Sequence, residues 1–245
     1  MTAIVSKQIR VNNAGAFRDD VGTDSTYLYI GRSHNWPSSD TAIATPVDTV
    51  FDKNNVHQNM IALKKVAQSD VSHCITRYNW LSGTTYVAYD DQLSTLSTSQ
   101  YYVITDELNV YKCLQAGTGS SVVKPTGQTT NAANAIESDG YVWKFMATLS
   151  GTQATKFLTN SFVPVNVITS NDGSLQYDVQ TNAQVGSIHR IVTTTGGSGY
   201  TSTPTVTISG NGSSATAAAT VVGGVVTSIT MSNIGTAYDE ALVTI

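Results

Sequence analysis

Alternation of hydrophobic and polar residues recurs in short segments along the chain, and it is typical of half-buried β-strands. In the first third of the sequence this pattern predicts strands at residues 4–11 and 27–30. The second of these strands is followed by Gly31 and a turn-rich loop that extends to Pro37. The N-terminal region is therefore expected to begin with strands and loops.

One segment has the spacing of an amphipathic helix. Its apolar residues recur on a single helical stripe: Val56, Met60, Leu63 and Ala67. Asp48 stands before the segment as a candidate N-cap, and Lys64 and Lys65 near its end suit the helix dipole. The pattern predicts a helix over about 49–68.

The middle of the chain predicts three neighbouring strands. Residues 101–105 and 109–114 are β-rich and are joined by a turn at Asp106 and Glu107. A third strand follows the polar loop 115–139, and its two faces differ: Tyr141, Trp143 and Phe145 on one, and Val142, Lys144 and Met146 on the other. Such aromatic alternation could stack on sugars, but it more often marks the buried side of a sheet, so we expect core packing.

The last third of the sequence has no charged residue between Arg190 and Asp239. It contains a weak internal repeat, in which two pairs of residues recur at a spacing of 38: Tyr200 with Tyr238, and Ile191 with Ile229. Between the copies, Gly223 and Gly224 separate two β-rich segments and predict a two-residue hairpin. These features predict a small module of antiparallel strands.

Together the elements predict a mainly-β fold. We expect one domain of strands with at least one helix over residues 1–169, and a small antiparallel β-repeat domain, rich in Gly, Ser and Thr, over residues 170–245. A chain of 245 residues is long enough for one large or two modest domains.

Composition excludes several classes of protein. Only 12 % of the residues are charged, about half the usual share of roughly 25 %, and the formal net charge is −4. The lack of a basic cluster argues against a nucleic-acid-binding protein. The 19 glycines and many Thr and Ser residues argue against a mainly helical enzyme. Neither a membrane span nor a secretory signal is predicted, so we expect synthesis in a reducing cytoplasm.

Residues that could carry chemistry form no recognised catalytic or metal-binding pattern. The histidines are isolated, and the glycine-rich stretches lack the spacing of a nucleophile elbow or a phosphate-binding loop. The acidic doublets lack the ligand spacing of a Ca²⁺ loop. Cys74 and Cys113 are predicted to be buried free thiols. The sequence thus predicts no catalytic residue, cofactor or metal, and favours a structural or adhesive protein over an enzyme.

Several stretches resemble a known family. Tyr-Ile-Gly-Arg-Ser at 29–33, followed by Trp36, resembles a signature near the N-terminus of the baseplate wedge proteins of T-even-type contractile-tailed bacteriophages (myoviruses). Three later stretches resemble the middle of the same proteins: 105–114, 124–127 and 139–145. Their order and approximate spacing agree, so the resemblance extends from the N-terminus to about Val167.

The resemblance implies a scaffold without catalytic residues. It implies a mainly-β protomer, a β-sandwich with at least one helical excursion over residues 1–169, that forms a homodimer in the baseplate of the virion tail and connects neighbouring wedge proteins. It carries these candidate interface or family-motif residues: Gly31, Arg32, Ser33, Trp36, Asp139, Gly140, Tyr141 and Trp143. Arg32 offers a planar fork of donors for a carboxylate or carbonyls, within the chain or at an interface. The last four residues are expected to preserve the core.

The C-terminal third departs from this family. Its repeat, with Tyr200 and Tyr238 at equivalent positions, resembles modules of phage and bacterial surface proteins and is expected to be a docking or decoration domain. The alternative function is an adhesin or carbohydrate-binding module that acts through these repeats. A tail hydrolase is the least favoured hypothesis, because it needs a carboxylate pair or a nucleophile in a cleft.

Overall fold

The computed structural model describes residues 7–31, 41, 45, 48–90, 93–130, 136–183 and 185–245. Strands account for 33 % and helices for 21 %, with multiple antiparallel sheets, so the predicted mainly-β class is confirmed. The chain divides into two compact units, Met1–Cys74 and Ile75–Ile245. The predicted domain boundary at residues 169/170 falls inside the second unit and stays a prediction.

The first unit contains helices and a two-stranded ribbon. Its elements are α1 (Lys7–Thr23), β1 (Tyr27–Gly31), α2 (Val50–Gln58) and β2 (Met60–Lys65), and β3 (His73–Thr76) begins at its end. β1 and β2 pair antiparallel. A short 3-10 turn packs against α1, where the side-chain amide of Gln68 donates to Asp19 Oδ1 at 3.5 Å.

The strand predicted at residues 4–11 is wrong in its described part, because residues 7–11 belong to α1. Ile9 and Val11 favoured a strand through their β propensity. The helix continues to Thr23, and Val21 near its C-terminal end is buried. Because Val21 lies outside residues 4–11, the residue pattern within that short segment could not indicate that the segment belongs to a longer helix.

The helix predicted over about 49–68 is wrong in its second half, which forms β2. The helix ends at Gln58 with Asn59 as its C-cap, and the residues that follow gain a ladder of backbone hydrogen bonds with β1, a long-range partner that local periodicity does not reveal. The N-cap also differs from the prediction. It is Thr49, whose hydroxyl accepts the Asp52 N–H at 3.1 Å, rather than Asp48.

Three antiparallel strands form a sheet in the second unit, in the order β4 (Tyr102–Ile104), β5 (Asn109–Gln115) and β6 (Val142–Thr148). This result confirms the three strands predicted for the middle of the chain and the turn at Asp106 and Glu107. The aromatic face of the third strand lies in the core, as expected. The buried cluster there comprises Tyr86, Val103, Tyr111, Cys113, Tyr141, Trp143, Phe145 and Val179.

Two capped helices follow β6. The elements here are α3 (Gly151–Phe157), β7 (Phe162–Val165) and α4 (Leu175–Asn182). Ser150 and Ser174 cap the two helices through hydroxyls that accept backbone N–H groups at their first turns. α4 packs against β6, and its Val179 completes the aromatic core.

The strands of the C-terminal module are β8 (Thr207–Gly210), β9 (Ser213–Val222), β10 (Val225–Thr236) and β11 (Ala241–Thr244). Gly223 and Gly224 form the predicted hairpin between β9 and β10, and their φ angles of 61° and 78° are those that a type I′ turn requires. β11 pairs antiparallel with β8. The predicted antiparallel strands of this module are thus present.

The 38-residue sequence repeat is also a repeat of backbone pairing. Residues 185–200 run beside β10. For each of the following hydrogen bonds from one segment to the other, the residues 38 positions away form an equivalent bond in the opposite direction. The Ile188 N–H donates to the Ile234 carbonyl at 2.8 Å, and the equivalent bond runs from the Val226 N–H to the Gly196 carbonyl at 3.0 Å. Likewise, the Tyr200 N–H donates to the Gly224 carbonyl at 3.1 Å, and the equivalent bond runs from the Tyr238 N–H to the Gly186 carbonyl at 3.0 Å. At the centre, Ile191 and Ile229 form a bridge. The copies are therefore related by a local quasi-two-fold arrangement.

Positive φ angles recur with the same spacing. The equivalent pairs are Gly186 with Gly224, Gly197 with Gly235, and Gly199 with Ala237. Ala237 is the exception in residue type, since it holds a φ of 60° with a Cβ atom. For an L-residue this conformation costs roughly 1–2 kcal/mol.

We expect Ala237→Gly to raise the free energy of unfolding by about 0.5–1 kcal/mol, because the relief of strain exceeds the added entropy of glycine in the unfolded chain. Chemical denaturation of both chains measures the difference. Ala241→Gly, at an exposed position of β11, is the control and should be neutral or destabilising. A loss of stability in Ala237→Gly would contradict the strain argument.

Candidate functional site

Two stretches that carry the family resemblance meet at one end of the three-stranded sheet. Lys124, which precedes the buried Pro125, forms ion pairs with both carboxylates of the β4–β5 turn. Its Nζ lies 2.9 Å from Asp106 Oδ1 and also contacts Glu107. These hydrogen bonds hold the pKa values of both carboxyls below their usual range. The contacts tie the 124–127 loop to the turn within the chain.

Asp139 is a hub of hydrogen bonds to the preceding loop. Its Oδ2 accepts the N–H groups of Val122 (2.8 Å) and Val123 (3.0 Å) and the Ser121 hydroxyl (3.2 Å). Its Oδ1 accepts the Tyr141 N–H at 3.2 Å. One side chain thus closes the loop that separates β5 from β6.

The electrostatic state of Asp139 follows from these contacts. Partial burial raises the pKa of the carboxyl, but the hydrogen bonds from Val123, Val122, Tyr141 and Ser121 lower it by more, so that the pKa lies below its usual value. The Ser121 hydroxyl is itself the acceptor of the Trp80 indole N–H at 3.1 Å. Asp139 is therefore an ionised structural anchor.

Gly140 and Tyr141 place the start of β6 against the loop at residues 117–119. Gly140 has a φ of 84°, and Tyr141 is completely buried. The Tyr141 hydroxyl donates to the Gly119 carbonyl at 2.9 Å and accepts the Tyr86 N–H at 3.2 Å. A Cβ atom on Gly117 would lie 2.2 Å from the Asp139 carbonyl oxygen. Glycine is thus required at 117 by close approach of two backbones.

Trp143 completes the motif from inside the core. Its ring stacks on Tyr141 with centroids 5.8 Å apart and an interplanar angle of 11°. Tyr86 meets the same indole edge-on at 5.3 Å. The structure brings Asp139, Gly140, Tyr141 and Trp143 together as a packing and loop-closing network, with the aromatic rings directed into the core.

The N-terminal motif is described only in part. Gly31 lies at the end of β1, paired with Met60 of β2 across a register shift. Arg32, Ser33 and Trp36 lie outside the described residues. The clamp predicted for Arg32 therefore stays a prediction.

The β1–β2 ribbon exposes apolar side chains on both faces, and we call these six residues the apolar ribbon. One face carries Leu28 (64 % exposed) and Ile30; the other carries Tyr27, Tyr29, Ile61 and Leu63. An isolated two-stranded ribbon is at best marginally stable in water. Contiguous exposed apolar surface marks an interaction site. Sequence reasoning missed this surface because it assigned β2 to a helix.

The repeat-equivalent tyrosines are half-buried. Tyr200 packs against the module's apolar cluster, which includes Val226 and Ile229. Tyr238 lies so close to Gly212 that a Cβ atom there would be 2.4 Å from its ring. Both rings are engaged within the module.

Another feature that sequence reasoning missed is a pair of lysines opposite each other in the sheet. Lys112 and Lys144 are cross-strand partners in β5 and β6, and Lys144 is buried. Burial lowers the pKa of both amines, and the charge of Lys112 lowers that of Lys144 further. Lys112 also lies over the ring of Tyr89, 4.5 Å from its centroid. The alternation of β6 predicted the face of Lys144 but not its burial.

The two cysteines lie in different environments. Cys113 is buried in β5, and burial raises the pKa of its thiol to about 12. Cys74 is exposed, so its predicted burial is wrong. Its neighbours in the short strand β3, Ile75 and Thr76, are exposed as well. Apolar neighbours in sequence do not cover a side chain unless a second layer packs on them.

An open groove of about 510 Å³ in the second unit is a candidate for a small-ligand site. The two cations that line it are used within the chain, since Arg77 donates to Asn79 Oδ1 at 2.7 Å and Lys124 pairs with the β4–β5 turn. Among the described residues, no cluster of His, Cys, Asp and Glu side chains could hold a metal ion. In the same ranges, no helix is both long and apolar enough to cross a membrane.

Comparison with known proteins assigns no family. No family model matches the sequence, and no curated protein is similar to it.

Proposed function

We propose that this chain is a structural subunit of a phage tail baseplate wedge, which acts in the virion through protein–protein contacts with other wedge proteins and with a second copy of itself. The observation that carries the proposal is the apolar ribbon, where large side chains are exposed on both faces of a two-stranded element. Such a ribbon needs a partner to bury it.

The motif network supports the same proposal by its chemistry. Asp139, Tyr141 and Trp143 hold a loop and a core: the Asp139 carboxylate accepts four hydrogen bonds within the chain, and the rings of Tyr141 and Trp143 are buried. The resemblance to wedge proteins rests partly on these residues. In such a protein they would keep the protomer rigid when neighbouring subunits exert force on it. The low share of charged residues suits a surface that is covered by other subunits.

The first test is the location of the protein in tailed particles. Mass spectrometry of purified particles should detect the chain, and immunogold labelling with an antibody against residues 170–245 should place gold at the distal end of the tail. Absence of the chain from particles would overturn the proposal and favour the adhesin alternative.

The second test is a variant of the apolar ribbon. We expect Leu28→Ser to reduce incorporation into particles by at least tenfold, because it removes exposed apolar area from the contact without touching the buried core. Val167→Ser is the matched control, since Val167 is 60 % exposed but lies outside the ribbon. Equal incorporation of both variants, with unchanged stability, would show that the ribbon is not the contact.

A further inference from the structure

Residues 188–190 connect the C-terminal module to the three-stranded sheet, and we call them the junction. The Ile188 N–H donates to the Ile234 carbonyl of β10 at 2.8 Å, so the first residue of the junction is held by the module. The Arg190 guanidinium donates through Nη1 to the Leu114 carbonyl of β5, so the last residue is held by the sheet. In the described part of the chain, no strand of the module pairs with a strand of that sheet. A change at the junction would therefore act on the contact between the two.

The middle residue of the junction, His189, faces two lysines. Lys112 and Lys144 are cross-strand partners in β5 and β6, and Lys144 is only 4 % exposed. The charges of both lysines act on the His189 imidazole. Like charges at close range repel each other more strongly in a poorly solvated site than in water. A protonated His189 would thus be the third positive charge in this cluster.

The ring of His189 also lacks a partner for a second N–H group. Its Nδ1 atom is shielded from solvent and makes no hydrogen bond in the described structure. A neutral imidazole has one N–H group and one acceptor nitrogen, whereas both nitrogens of an imidazolium are donors. A buried donor without an acceptor is unfavourable. The geometry of the ring therefore favours the neutral form, independently of the lysines.

We propose that His189 makes the contact between the C-terminal module and the three-stranded sheet sensitive to pH: the neutral imidazole lets the junction pack on the sheet, and protonation separates the module from the sheet while the module itself stays folded. The inference does not depend on the proposed function, since it follows from contacts inside the second unit. The module has its own strand pairing and its own apolar cluster, which includes Val226 and Ile229. These contacts would keep it ordered after separation.

The direction of the pH dependence follows from the surroundings of His189. Burial, and then the charges of Lys144 and Lys112, lower the pKa of the imidazole from its ordinary value of 6.5. After separation the imidazole is in water, where we expect its ordinary pKa. The separated state therefore binds the proton more readily. The docked state is fully favoured above the ordinary pKa and loses that advantage as the pH falls through the lowered pKa.

The two lysines add to this effect. Burial lowers the pKa of both amines, and acidification can only increase their charge. Between the lowered and the ordinary pKa of His189, we expect the ratio of separated to docked molecules to rise by up to about tenfold for each unit of pH.

The test compares the rotational correlation times of the two parts by ¹⁵N relaxation of the full labelled chain, at about pH 7.5 and about pH 5, the range in which histidine changes its charge. We expect one correlation time for β5–β6 and β9–β10 at the higher pH, and a shorter time for β9–β10 at the lower pH. His189→Gln, which is neutral throughout, should keep a single correlation time. His189→Arg, which is charged throughout, should show separate times already at the higher pH. His57→Gln, at an exposed position of α2, is the control and should behave as the natural chain does.

A second measurement reports on the electrostatic contact itself. The pKa of His189, followed through the ¹³C–¹H signals of its ring, should lie below 6.5 in the natural chain. It should rise in Lys112→Gln, because one of the two facing charges is removed. This measurement keeps the proposal testable if His189→Arg does not fold.

Four outcomes would overturn the proposal. The first is a single correlation time for both parts at about pH 5, and the second is an equal response to acid in His189→Gln. The third is a loss of signal dispersion in β9–β10 at about pH 5, which would show that the module unfolds instead of separating. The fourth is a pKa of His189 at or above 6.5 in the natural chain.

Discussion

Replacement of Gly117 by alanine is expected to lower the free energy of unfolding of the second unit by about 3 kcal/mol, at the upper end of the usual cost of overpacking. The new Cβ atom would lie 2.2 Å from the Asp139 carbonyl oxygen and 2.9 Å from the Tyr141 ring. Neither neighbour can move cheaply, because one is backbone and the other is a fully buried ring with two hydrogen bonds.

The matched control lies two residues away. Gly119 has nothing within 4 Å of the position that its Cβ atom would take, so Gly119→Ala should change stability by no more than about 0.5 kcal/mol. Denaturant titration of the three chains, followed by tryptophan fluorescence, measures both values. Equal stability of the two variants would mean that the 115–119 loop can move away from Asp139, and would remove the argument that this motif fixes the loop.

The three-stranded sheet was predictable because its signal is local. Alternation along β5 and β6 places Tyr111, Trp143 and Phe145 on one face, and the structure buries that face. The Gly223–Gly224 hairpin was predictable for the same reason, since the turn residues themselves require positive φ.

Elements that depend on distant partners were not predictable. β2 has the apolar spacing of a helix, but its residues form a ladder with β1, and the paired residues lie 29 to 38 positions apart in the sequence. The contacts of Asp139 are equally non-local, because the donors at residues 121–123 lie 16 to 18 positions before it. The motif could be recognised as a pattern, whereas its role as the closure of a loop required the structure.

The exposure of the apolar ribbon could not be read from sequence either. Leu28 and Ile30 have the composition of a buried strand, and only the absence of a second layer over them in the described structure marks them as surface.

The C-terminal repeat was partly visible in the sequence. Its period of 38 was visible in the sequence, but the exchange of hydrogen-bond partners between the copies depends on the pairing geometry.

Asp139→Asn is expected to destabilise the second unit by about 1–3 kcal/mol at neutral pH, the range for hydrogen bonds to a charged acceptor and for a donor left unsatisfied. The amide can present one oxygen to Val122 and Val123, but its NH₂ group then faces the Tyr141 N–H, which is also a donor. The variant should unfold at lower denaturant concentration with an unchanged dependence on denaturant.

The pH dependence separates the charge of Asp139 from its shape. Because its pKa in the folded state lies below the unfolded value of about 3.9, the unfolded state binds the proton more readily. The stabilisation is therefore complete above the unfolded pKa and is lost as the pH falls through the folded pKa. The difference in stability between the natural chain and Asp139→Asn should be largest at neutral pH and should shrink on acidification.

Asp178→Asn, at an exposed position in the first turn of α4, is the control, and its stability should follow that of the natural chain within about 0.5 kcal/mol. A difference for Asp139→Asn that stays constant from pH 7 to pH 3 would show that the carboxylate contributes through its shape and not through its charge.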